Sequence, residues 1–199
     1  MQLRAPALLI ASRPHGETAV IARLLTEDHG VVAAYVAGGR GRQLRPVVIP
    51  GNGVVAEIRA KSDSQLPFAR LELERSRAPF MTEPLPAAAI AWACALSATV
   101  LPERNPYPRL YRGLSGLLDA ICAAPSARLW IDALVDYEAL LLRELGYGGG
   151  RPERGSFATA LRTLDRMEQP IADYLLPDRR RDMLDARTRL RALLGRMAA

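Results

Sequence analysis

Apolar and charged residues alternate most regularly between positions 54 and 74. Val54, Ala56, Ile58 and Ala60 point one way while Val55, Glu57, Arg59 and Lys61 point the other. Ala69, Leu71 and Leu73 then alternate with Arg70, Glu72 and Glu74. Period two with one apolar and one charged face predicts a sheet buried on one side. Three apolar runs precede these strands, at Arg4 to Ser12, Thr18 to Leu25 and Val31 to Val36. Arg13-Pro14-His15-Gly16, Glu27-Asp28-His29-Gly30 and Pro50-Gly51-Asn52-Gly53 separate the runs with turn residues. Five strands punctuated this way suit a small barrel, and the OB-fold is a five-stranded barrel that takes oligonucleotides.

The pattern changes after Ala78-Pro79. Helices are predicted from Pro86 to Leu101, Arg109 to Ala123 and Ala127 to Leu145, the last capped by Ser126 and ended by Gly146. Leu129, Trp130, Ala133, Leu134, Tyr137, Leu140, Leu141 and Leu145 give the third helix one broad apolar stripe, so it faces a core. Shorter helices follow at Ser156 to Met167 and Ile171 to Leu176, with a final one from Asp178 to Met197. The fold class is therefore α+β, with an N-terminal five-stranded OB-type β-barrel over residues 1–80 and an all-helical domain over 81–199. Residues 84–102 carry no charge. Pro84 and Pro86 leave about fifteen alanine-rich residues of that run, short of the roughly 20 strongly apolar ones a membrane span needs. Ala7-Leu8-Leu9-Ile10-Ala11 is too short for a signal-peptide core and reads as a first strand. A cytoplasmic protein without membrane contact is expected.

Charge sharpens this picture. The net charge is +6, and Lys61 is the only lysine among 27 cations. That excess favours a polyanionic partner. Gly38-Gly39-Arg40-Gly41-Arg42-Gln43-Leu44-Arg45 gathers three arginines without an acid, on a glycine loop read as flexible. Arginine forks match phosphate oxygens two at a time, so Arg40, Arg42 and Arg45 are the leading candidates for a nucleic-acid backbone. Arg13 and Arg23 either support that loop or close the barrel rim. Arg59 and Lys61 share a strand face with Glu57, so cross-strand pairing competes with phosphate contact there. Only Tyr35 and Phe68 offer aromatic faces among the strands, which predicts phosphate contact with little base reading. At the other end, Arg179-Arg180-Arg181 with Arg187, Arg189, Arg191 and Arg196 reads as a solvated helix face, partly neutralised by Asp178, Asp182 and Asp185.

Catalytic patterns do not complete themselves. His15-Gly16-Glu17 has the spacing of a zinc deaminase motif, yet no P-C-x-x-C follows. The glycine loop lacks the Gly-Lys-Ser/Thr of a nucleotide-binding P-loop. No serine or cysteine sits in a nucleophile elbow. Cys94 and Cys122 lie in apolar helical patterns and read as small buried side chains. No enzyme, cofactor or metal is expected.

Specific strings resemble the RecO family of bacterial DNA repair proteins. They are Arg13-Pro14-His15-Gly16-Glu17-Thr18, Leu25-Thr26-Glu27 with Gly30, Gly39-x-Gly41-Arg42-x-x-Arg45-Pro46 and Pro50-Gly51-Asn52. Tyr137-Glu138-x-x-Leu141-Leu142-x-x-Leu145-Gly146-Tyr147 is similar to the family's helical part. The resemblance implies a recombination mediator whose OB domain binds single- and double-stranded DNA and promotes annealing. It also implies RecR as a partner and a site for the acidic tail of single-strand-binding protein. An apolar pocket rimmed by cations would serve that tail, and Leu134, Tyr137, Leu141 and Arg143 are its candidates. Many relatives carry a four-cysteine zinc module after the Leu-Gly-Tyr segment, where this chain has Gly148-Gly149-Gly150, so zinc is not expected. Backbone contacts by arginine serve RNA as well as DNA, so an OB-type module for RNA or a protein-interaction adaptor is the alternative reading.

Overall fold

The computed structural model describes residues 2–60, 62, 65–148, 150–177 and 180–197. The chain divides into two compact units, Met1–Thr82 with Leu101–Tyr111 and Glu83–Val100 with Arg112–Ala199.

Strand β1 (Gln2–His15) is the longest element of the first unit. From Gln2 to Leu8 it pairs antiparallel with β4 (Gly53–Arg59), and from Ala7 to His15 it pairs with β2 (Ala19–Thr26). β2 runs antiparallel to β3 (Gly30–Val36), which meets β5 (Phe68–Arg75) in parallel at Tyr35 and Phe68. β5 returns antiparallel to β4, so the order β1-β2-β3-β5-β4 closes on itself. This is the five-stranded OB-type barrel that the alternation predicts. Its interior is filled by inward residues including Leu9, Val20, Leu24, Val32, Val36, Val54 and Ile58, together with Ala22, Ala34 and Ala56.

β1 extends beyond Arg4 to Ser12 and carries two prolines. Pro6 pairs only with Val55 of β4, and Pro14 only with Val20 of β2. Each lies in an arm with a partner on one side, where a missing N–H breaks no second ladder. The arms overlap at Ala7–Leu8, and just beyond, within the β2 arm, the register slips at Ile10; such a bulge bends a strand. Beside the bulge, Leu9 donates to the Asn52 carbonyl at 2.9 Å and accepts from the Gly51 amide at 2.8 Å.

Asn52 then fixes the β3–β4 connection. It is fully buried. Its Nδ2 donates to the carbonyls of Pro46 and Val47 at 2.9 and 3.0 Å, and its Oδ1 accepts from the Arg77 amide at 2.8 Å. The buried Arg77 guanidinium donates to the Gly51 carbonyl. Leu44, Val47 and Val48 fold down against the barrel core. Within the connection Gly41 donates to the Gly38 carbonyl, Arg45 to that of Gly41, and Val47 and Val48 to that of Leu44, at 2.8 to 3.0 Å. The loop read as flexible is in fact a compact, hydrogen-bonded cap on the barrel. A side chain at Gly39 would strike Val20 at 2.6 Å, which accounts for that glycine.

The segment 101–111 also belongs to this unit. Arg104 donates to the Val31 carbonyl at 2.9 Å, and a Cβ at Gly30 would lie 2.1 Å from the Asn105 carbonyl oxygen. Gly30 also has φ +66°, so both the hairpin turn and the close approach need glycine there. The start of β3 is thus covered.

The second unit holds α1 (Pro84–Val100), the body of α2 (Pro108–Ala123), α3 (Ile131–Glu144), α4 (Phe157–Pro170) and α5 (Arg180–Gly195). Trp130, with φ −122° and ψ −7°, interrupts the helix read from Ala127 to Leu145. A 3-10 turn over Ala127–Leu129, capped by the Ser126 hydroxyl, precedes that break. Glu138 is buried, accepting from Trp92 Nε1 at 2.7 Å and from Arg187 Nη2 at 2.8 Å. Arg187 also donates to the Leu164 carbonyl at 2.6 Å, so it belongs to the core and not to a solvated basic face. Arg191 makes a two-pronged contact with Asp165 at 2.6 and 2.9 Å. That hydrogen bond holds the Asp165 carboxyl below its ordinary pKa. Among the described residues no helix is long and apolar enough to cross a membrane.

The Asn52 amide yields a stability test. Asn52→Ala leaves one buried N–H and two carbonyls without their partner. Unsatisfied buried groups cost about 1–3 kcal/mol each, and relaxation recovers part of that, so a loss of about 3 kcal/mol is expected in urea unfolding. Faster hydrogen exchange at the Gly41 and Arg45 amides should accompany it. A loss below about 0.5 kcal/mol, the range of ordinary surface substitutions, would show that the barrel cap does not hang on this residue.

Candidate nucleic-acid interface

The barrel's cations separate into three groups. Arg40 is exposed, but its Nη1 donates to the carbonyls of Gly16 and Glu17 at 3.2 and 3.0 Å, and its amide donates to the Thr18 carbonyl at 2.8 Å. It ties the β3–β4 connection to the β1–β2 turn. Arg42, Arg45, Arg13 and Arg70 are exposed and make no side-chain hydrogen bond or ion pair among the described residues. Arg23 and Arg59 are engaged. Arg23 binds Glu103 at 2.7 Å and the Leu101 carbonyl at 3.3 Å. It therefore anchors the segment 101–111 and does not stand open to a phosphate. Arg59 pairs with Glu57 two residues away on its own strand, and not across strands as their shared face suggests. Lys61 lies outside the described residues.

Strand register brings together side chains that the sequence leaves apart. Arg13 lies opposite Ile21, Ile21 opposite Tyr35, Tyr35 beside Phe68, and Phe68 opposite Arg59. Directly paired residues share a face, so these five form one row across the outside of the barrel. At its centre the Tyr35 and Phe68 rings pack edge to face with centroids 5.2 Å apart. His15 meets the other side of Tyr35 edge-on at 5.8 Å. Phe68 keeps 59% of its surface exposed. Few aromatics are present, yet the fold gathers them. His15 and Ile21 are absent from the sequence-based candidates, because the row depends on β3 and β5 being neighbours.

The helical candidates fare differently. Leu134, Tyr137 and Leu141 are 1, 2 and 0% exposed, so these side chains form the core of the unit and line no open pocket. The Tyr137 hydroxyl lies 2.6 Å from Ser97 Oγ, and burial pushes its pKa well above that of a free phenol. Arg143 is exposed and borders a cleft of about 610 Å³, with Asp136, Leu140, Arg151, Pro152 and Arg154 as the other walls. Arg154 pairs with Asp136 there. Leu140 belongs to the apolar stripe, but periodicity alone does not tell which members remain open. The Tyr137-Glu138 to Gly146-Tyr147 string has an architectural explanation. It supplies two buried hydrogen-bonding side chains and a glycine with φ +88° that ends α3, where the Tyr147 amide donates to the Leu142 carbonyl at 2.8 Å. No three His, Cys, Asp or Glu side chains converge among the described residues, and the segment after Tyr147 offers glycines. These residues do not fit a zinc module.

A closed five-stranded barrel of order β1-β2-β3-β5-β4 defines a class, the OB-type barrels. Comparison with known proteins narrows it. Residues 1–76 match the family described as Recombination protein O N terminal, and residues 82–148 match Recombination protein O C terminal. The chain belongs to the RecO family. A relative from Rhodospirillum centenum is 43% identical over 143 residues, covering 71% of this chain and 56% of its own. Relatives from Phenylobacterium zucineum and Gluconacetobacter diazotrophicus are 38% and 39% identical, each across 74% of this chain. All three are named DNA repair protein RecO. The chain spans about 60% of the length of these curated relatives, 56%, 60% and 59% respectively.

Proposed function

We propose that this chain is a non-catalytic, DNA-binding recombination mediator of DNA repair that works in the cytoplasm. The barrel grips single- and double-stranded DNA through its phosphates and promotes annealing of complementary strands. The helical unit takes part in loading recombinase together with RecR and the tail of single-strand-binding protein. Family membership supports the role, and one observation carries the contact. Arg42 and Arg45 stand exposed and without a side-chain partner among the described residues, on a hydrogen-bonded cap that Arg40 ties to the β1–β2 turn. A backbone already ordered beneath these cations removes the loop-ordering part of the cost of meeting a polyanion. Arg13, at the end of β1 before that turn, extends the same basic edge.

The acidic tail fits the cleft beside α3 better than it fits the buried stripe. Leu140 and Pro152 offer apolar walls, and Arg143 and Arg151 offer charge to a partner that is acidic with an apolar end. Arg143→Glu with Arg151→Glu should reduce binding of a fluorescent tail peptide at least tenfold while leaving DNA affinity within about twofold, charge reversal at a contacting site costing about 1.4 kcal/mol or more. Equal peptide binding by the variant and the parent chain would remove the cleft from the proposal.

For the DNA contact, each arginine that neutralises a phosphate releases about one counterion, with a log–log salt slope of about −0.9 per contact on duplex. Arg42→Ala with Arg45→Ala should weaken binding and flatten that slope by about two units. Adding Arg40→Ala should flatten it by up to about one more unit. Alanine at Arg179, Arg180 and Arg181 removes the same charge from the second unit. If that control flattened the slope as much as the three loop substitutions, net charge alone would explain the binding. Competition between single-stranded DNA and RNA of equal length separates this reading from that of an RNA-binding module.

A further inference from the structure

The row Arg13-Ile21-Tyr35-Phe68-Arg59 has a composition that phosphate contact alone does not explain. Its centre is apolar and aromatic, and its two ends are cationic. Beyond Phe68 lies a groove of about 500 Å³, walled by Ala37, Ala69, Glu57, Arg59 and Arg70 together with the phenyl ring itself. Glu57 is paired with Arg59, whereas Arg70 has no partner among the described residues. The groove therefore combines an exposed ring, small apolar walls and one uncompensated cation.

Placement within the fold narrows what reaches this surface. OB barrels take oligonucleotides across the β2–β3 face, between the β1–β2 and β4–β5 loops. Here one end of that face is occupied, because Arg23 holds Leu101 and Glu103, and Arg104 bonds to Val31. The open end is the one that carries Ile21, Tyr35 and Phe68. His15 leads into the β1–β2 turn, and Pro67 of the β4–β5 loop accepts from the Tyr35 amide at 2.8 Å. Tyr35 is held between two edge-on rings, 5.8 Å from His15 and 5.2 Å from Phe68. The aromatic centre is thus ordered before any ligand arrives.

We infer that Phe68, backed by Tyr35 and His15, stacks an unpaired nucleobase at the mouth of the groove, with Arg13 and Arg59 or Arg70 taking the flanking phosphates. Four strand spacings of about 4.8 Å separate the ends of the row, roughly 19 Å, enough for a strand crossing the barrel to meet both. A duplex shares the phosphates but keeps its base faces inside its own stack. The row therefore gives the barrel a preference for single strands that its arginines cannot supply. Stacking accepts any base, so the preference is for unpaired bases and not for a sequence. This inference rests on the DNA-binding reading above, and its test separates the two.

The full chain is titrated against three fluorescent ligands of equal phosphate count: oligothymidylate, the same strand with tetrahydrofuran abasic units, and a duplex. The parent chain should bind the base-bearing strand more tightly than the abasic one. Phe68→Ala should reduce affinity for the base-bearing strand by about 5- to 150-fold, the range of one aromatic stacking contact. Binding of abasic strand and duplex should stay within about twofold, and Phe68→Trp should restore the preference. Because Phe68 is more than half exposed, its removal leaves the barrel core intact, and an unchanged thermal melt verifies this. If the parent chain bound all three ligands but did not distinguish base-bearing from abasic strands, the stacking site would be refuted and phosphate contact would stand. Equal loss on all three ligands in Phe68→Ala would also refute it. If no ligand bound the parent chain, the DNA-binding reading itself would fall.

Discussion

The double pairing of β1 is the constraint from which the barrel follows. A single strand of fourteen residues serves β4 with one arm and β2 with the other, and the sheet closes only if it bends between them. A bulge at Ile10 follows the overlap of the two arms, and Gly51 and Asn52 bond to Leu9 beside it. Closure removes the free sheet edges that an open five-stranded sheet would expose. It also brings β3 beside β5 in parallel, the contact on which the aromatic row depends. Motif, cap and candidate interface are therefore consequences of one strand being shared.

Much of this is legible in the sequence. Alternation at 54–74 places β4 and β5, and turn residues place the hairpin between β2 and β3. The arginine-rich loop stands out as a patch of charge. Three things are not legible, each for a physical reason. Pro14 reads as part of a turn that closes the first strand, because a sequence does not say which arm of a strand lacks a second partner. Glycines at 38, 39 and 41 suggest freedom, whereas Gly39 meets the close approach of Val20 and the others sit in hydrogen-bonded turns. The row of Arg13, Ile21, Tyr35 and Phe68 depends on strand order, which alternation cannot fix.

In the helical unit the apolar stripe supplies core residues at Trp130, Leu134, Tyr137 and Leu141, which are therefore unavailable to a partner, whereas Leu129, ahead of the Trp130 break, is 70% exposed. Periodicity also assigns Arg187 to a charged face, although it supplies the buried countercharge of Glu138. A buried carboxylate needs such a partner, since an unpaired charge in a core is strongly destabilising. The same pair shows that an arginine-rich helix in a basic chain need not be a nucleic-acid surface.

The central claim is that DNA is held by the barrel edge and outer row, not by the arginines of the helical unit. Amide chemical-shift mapping of the labelled full chain, titrated with a short single strand, tests this most directly. Shifts should concentrate at residues 13–18, 35–45 and 68–70, with small changes at 143–154 and 187–196. If the largest shifts fell on the helical unit while the barrel edge stayed still, the account would be contradicted.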